Sequence, residues 1–160
     1  MIEGGPGARR ALRAALFLLA GLTLDGAWLA QAQAAQVCAW IVESVEDDGA
    51  HQFALNLSAD APTSMAARFA GPGFTSASMG GNMIQLAPGE AKDVDGEGFD
   101  VSAGDDLAFD VQLFDHPLAS IDEMKNPTGR PLAKFSFHSK AGADGHASPA
   151  DLAKQCKPLG

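Results

Sequence analysis

The side chains able to do chemistry in this chain are four histidines, two cysteines and a dense run of acids. His51, His116, His138 and His146 are scattered, and no serine is flanked as a nucleophile elbow requires. Asp115-His116 pairs a base with an orienting carboxylate, but Pro117 follows and the setting reads as a loop. Catalysis therefore has little to stand on, and the expectation is a protein that is not an enzyme and carries no cofactor. Asp93-Val94-Asp95-Gly96-Glu97-Gly98 places acids at positions 1, 3 and 5 of a calcium-loop pattern, with glycine at position 6. Position 12 is Gly104 where a bidentate glutamate is needed, so the run reads as an acidic hairpin turn. Met79, Met83 and Met124 with His116 or His138 are donors suited to exported copper. Their spacing forms no tight cluster, and Met65 and Met83 fit core positions. No metal site is expected from the sequence, and copper handling stands as an alternative function.

The acids have a second reading. Asp93, Asp95, Glu97, Asp100, Asp105 and Asp106 lie within one short stretch around two glycine-rich turns. Their charge can steer a partner over a distance set by salt. This acidic end, with the edge strand beside it, is the expected binding surface; the alternative is that the acids only solvate turns.

The elements that hold these residues read as strands. Leu107, Phe109, Val111 and Leu113 are apolar at every second position, with Asp110 and Gln112 between them, which is the period of a half-buried strand. Phe53, Leu55 and Leu57 alternate in the same way, as do Ala133, Phe135 and Phe137. The run Cys38-Ala39-Trp40-Ile41-Val42 makes a first strand, followed by a turn at Glu46-Asp47-Asp48-Gly49. Weaker strands are expected over 64–70, over 82–86 and at Val94 or Phe99-Val101, with an irregular Ser/Gly-rich connection or a bulged edge over 74–81. The loop from His116 to Pro131 has room for one helical turn near Ser120–Met124. Ser148-Pro149 has the N-cap and first-turn chemistry of a short helix. Seven short strands punctuated by turns predict an all-β, immunoglobulin-like, seven-stranded antiparallel β-sandwich.

The first 34 residues carry an export pattern. Arg9, Arg10 and Arg13 form a basic region, Ala14 to Leu24 an apolar one, and Ala30, Ala32 and Ala34 offer A-x-A cleavage sites. Residues 1–34 are thus expected to be a signal peptide and 35–160 a single domain, delivered to the periplasm without a membrane anchor. Removing that segment takes away three of the 11 basic and two of the 20 acidic residues, leaving 18 acids, 8 bases and a charge of −10. Such a charge argues against nucleic acid and anionic membranes as partners. In an oxidising compartment, Cys38 and Cys156 read as a disulfide, since neither lies in a C-x-x-C motif. A monomer is expected.

The chain resembles the small periplasmic curli-assembly proteins of the CsgC/CsgH family, and the CsgH type more closely. The resemblance spans roughly Cys38 to Phe137. It rests on Cys38-Ala39-Trp40-Ile41, Ser58-Ala59-Asp60-Ala61, Ser76-Ala77-Ser78-Met79-Gly80-Gly81, Leu86-Ala87-Pro88-Gly89-Glu90 and Phe109-Asp110-Val111-Gln112-Leu113. It implies an immunoglobulin-like fold in the periplasm and a chaperone-like inhibition of premature amyloid assembly, with the amyloidogenic curli subunit as partner. The C-x-C pair of the CsgC type is absent. A structural or adhesive surface domain is the remaining alternative.

Overall fold

A computed structural model describes residues 34–160, apart from the side chain of residue 79. The expected signal peptide, through residue 33, lies outside the described residues, as does the side chain of Met79. The chain forms two antiparallel sheets packed face to face, an all-β sandwich. Nine strands build it among the described residues, where the sequence predicts seven.

The first sheet contains β1 (Gln36–Val45), β2 (His51–Ala59), β6 (Ala91–Phe99) and β9 (Gln155–Pro158), in the order β6-β2-β1-β9. The second contains β3 (Thr63–Gly71), β4 (Phe74–Ala77), β5 (Ile84–Leu86), β7 (Asp106–Phe114) and β8 (Ala133–Lys140). Its order is β4-β3-β7-β8, with β5 also pairing to β3. The two additional strands are short ones. β4 lies at the edge of its sheet, within the Ser/Gly-rich stretch that reads as an irregular connection or a bulged edge, and β9 follows the strands expected from alternation. Ser148 and Pro149 start only a turn, with the Asp151 N–H donating to the Ser148 carbonyl at 3.0 Å, and not the expected short helix. The helical turn of the long loop does form, as α1 (Ile121–Lys125), and Ser120 Oγ caps it by accepting from the Glu123 N–H.

Alternation decides what is buried. Val37, Ala39 and Ile41 of β1 face Phe69, Phe109, Val111, Phe135 and their neighbours across the sandwich, with Phe53, Leu55 and Leu57 of β2 beside them. The Phe53 ring lies 4.9 Å from that of Phe109, which in turn lies 5.9 Å from Phe69. Fully burying side chains of this kind contributes roughly 1.5–3 kcal/mol each, which makes this layer the main source of stability. A smaller cluster sits apart from it. Ala66, Phe114 and Leu118 are buried together, and Ala77, Met83 and Met124 pack on them. The loop carrying α1 is anchored over this patch by Arg68 Nε, which donates to the Met124 carbonyl at 2.6 Å.

Cys38 and Cys156 are bonded, as the sequence predicts. They face each other in the register of β1 and β9, so the bond holds the C-terminal strand against the first one.

Candidate functional site

The acids between Asp93 and Gly98 are not in a hairpin turn. They lie on β6, an edge of the first sheet, which pairs with β2 from Ser58↔Ala91 to His51↔Phe99. Val94 turns into the core between Asp93 and Asp95, which are exposed. The pairing shifts between Gln52↔Gly98 and Ala54↔Asp95, so Gly96 and Glu97 together oppose Phe53 in a bulge. Gly96 is required there, because a Cβ would come within 2.1 Å of the Phe53 carbonyl oxygen.

The six acids do not form one patch at a turn. Asp93, Asp95, Glu97 and Asp100 run along the exposed edge strand and just past its end. Asp105 belongs to the connection between the sheets and accepts from the Ser102 N–H at 2.7 Å. Asp106 opens β7 opposite Lys140. The expected surface is therefore a line of charge along β6 rather than a charged loop. The facing edge of the other sheet comes close, since Ser76 Oγ of β4 donates to the Asp95 carbonyl at 2.8 Å.

A second cluster, which sequence reasoning passes over, sits at one end of the core. Glu43 follows Ile41 on the inward face of β1, and His51 precedes Phe53 on the inward face of β2. The tail then returns over this end of the sandwich and brings His146 to them. His51 Nδ1 lies 2.6 Å from Glu43 Oε1, and His146 Nδ1 lies 3.3 Å from the same oxygen. The other oxygen, Oε2, accepts from the Ala147 N–H at 3.0 Å. The side chains of His51 and Glu43 are 9% and 11% exposed, and that of His146 is 48% exposed. An open groove of about 650 Å³ adjoins, lined in part by Trp40, Asp144, His146 and Leu152. Period two places Glu43 and His51 on core faces, and that signal is present in the sequence. His146 has none, because only the packing of a Gly-rich tail brings it there.

The donors considered for copper are dispersed or used in packing. Met83 and Met124 lie on the small apolar cluster beneath α1, while His138 is exposed on β8. His116 packs edge-on to Phe114, with ring centroids 5.5 Å apart, and its Nδ1 lies 2.8 Å from Asp115 Oδ1. That hydrogen bond holds the Asp115 carboxyl below its ordinary range. Among the described residues, no helix is long and apolar enough to cross a membrane. Comparison with protein-family models, curated proteins and solved structures finds no match to this chain.

Proposed function

We propose that this protein is an exported chaperone-like sandwich that retards premature amyloid assembly of a curli-type subunit by transient contact along β6. The observation that carries the reading is the edge strand itself: its side chains Asp93, Asp95 and Glu97 are exposed, it is bulged at Gly96–Glu97, and among the described residues only at Asp95 does a side chain of the other sheet, Ser76, reach its backbone. An edge strand offers unpaired backbone groups to an extended chain. Charge and a bulge on the same strand oppose regular stacking, so a β-prone partner can be met without continuing a fibre. The bonded cysteines fit an oxidising compartment such as the periplasm, and the resemblance to curli-assembly proteins supplies the subunit class. Thioflavin fluorescence of an assembling curli subunit tests this. Substoichiometric amounts of the protein should lengthen the lag phase, and an unchanged lag at equimolar protein would refute the reading.

A further inference from the structure

We propose that Glu43, His51 and His146 bind one divalent transition-metal ion of the zinc class, held between the β1–β2 hairpin and the tail that crosses it. One donor atom from each residue lies within 4.8 Å of the others. A tetrahedral zinc ion takes imidazole nitrogen at about 2.0–2.1 Å and carboxylate oxygen at about 2.0–2.2 Å, which sets donors roughly 3.3 Å apart. The separations from Glu43 Oε1 are 2.6 and 3.3 Å, and the histidine nitrogens lie no more than 4.8 Å from each other, so rotation of the exposed His146 ring and a small opening of the Glu43–His51 contact would bring all three donors onto one ion.

The donor set selects the ion. Two imidazoles and one carboxylate suit zinc and its neighbours, whereas calcium and magnesium take oxygen ligands. Each Nδ1 that now faces the carboxylate would give its lone pair to the metal, with the ring proton on Nε2. The surroundings are already ordered. The Ala147 N–H fixes the free carboxylate oxygen, an outer-shell contact of the kind that orients a metal ligand. His51 is locked on a strand, and its ring meets that of His146 edge-on with centroids 5.0 Å apart. The exposed side of His146 opens onto the groove, which leaves a fourth position to water or an exogenous ligand. The site shares no residue with the acidic edge and stands independently of the amyloid reading.

The consequence is mechanical as well as chemical. An ion here would fasten His146, and with it the segment before β9, onto the β1–β2 hairpin. Binding to the folded state alone also raises stability with metal concentration.

The test is a calorimetric titration of zinc chloride into the chelator-stripped protein, paired with melting curves. One ion per chain should bind at micromolar zinc and raise Tm. His146→Ala is the decisive variant, because it leaves the Glu43–His51 hydrogen bond and the strands in place. It should weaken binding by at least the roughly 10–100-fold that follows loss of an outer-shell partner. Glu43→Gln should do the same, while His116→Ala should bind as the parent does. Cobalt in place of zinc should give the visible absorption of a four-coordinate ion, lost in His146→Ala. Absent binding at micromolar zinc, binding retained in His146→Ala, or binding lost in His116→Ala overturns the proposal.

Discussion

Gly96 is the residue on which the shape of the acidic edge depends. Its missing Cβ lets β6 press against the Phe53 carbonyl, with Phe69 and Phe74 at 3.0 and 3.2 Å from where that atom would be. A backbone oxygen cannot turn aside as a flexible side chain can, so the bulge itself must shift. Gly96→Ala should therefore destabilise the protein by about 1–3 kcal/mol in urea unfolding, the usual cost of overpacking. Unchanged stability would mean that the bulge is free to slide. A second residue-scale expectation concerns acid. The His116 hydrogen bond lowers the Asp115 pKa, so its contribution is complete above the ordinary aspartate value and is lost as pH falls through the lowered one. Carboxyl NMR titration should show the Asp115 midpoint rising in His116→Ala; an unmoved midpoint would remove His116 as the cause. Glu90 is lowered first by the Ala87 N–H it accepts, so its midpoint should stay low in Lys92→Ala. These residues differ in how far the sequence announces them. Asp115 and His116 are neighbours and legible as a pair, whereas Glu43, His51 and His146 meet only once two strands and a tail are folded.

At the scale of elements, the disulfide and β9 act together. Cys38 and Cys156 are separated by 118 residues, and chain entropy assigns a loop of that length about 4–5 kcal/mol as an upper figure. Cys156→Ser should lower unfolding stability by up to that amount, and the oxidised parent should weigh about two mass units less than its reduced form. Two titratable thiols in exported material would contradict the bond. The loss should also loosen β9 from β1, because only four residues, Gln36↔Pro158 to Ala39↔Gln155, pair the two strands. Side chains of β9 also reach the edge of the second sheet: Gln155 and Lys157 donate to the carbonyls of Ser136 and Lys134 on β8. Strands with one solvent face were legible from alternation, as β2, β7 and β8 were. β9 was not, since Gln155-Cys156-Lys157-Pro158 is too short and polar to carry a period. β6 is legible only in part: a strand is expected at Val94, but the acids and glycines around it read as a turn. Acids and glycines are turn formers by composition, yet an edge strand tolerates both where one face meets water and a bulge needs a residue without Cβ.

At the scale of the molecule, charge and edges work in one direction. With the first 34 residues removed, the chain carries −10, and four of its acids line β6 or its end. At physiological salt the field of such charges reaches about 8 Å, far enough to bias encounters and short enough to be screened by added salt. A protein that meets assembling strands through this edge should therefore depend on ionic strength more than on apolar packing. The described surface agrees with that bias: Val42, Val45 and Ile121 are its exposed large hydrophobic side chains, and they belong to two different elements. The most direct measurement compares amyloid inhibition by the parent with that by Asp93→Asn/Asp95→Asn/Glu97→Gln/Asp100→Asn, in thioflavin assays at low salt, with circular dichroism confirming the fold. The neutralised protein should inhibit several-fold more weakly, and added salt should weaken the parent to the same extent. A folded variant that inhibits as well as the parent at low salt would contradict the role assigned to the acidic edge.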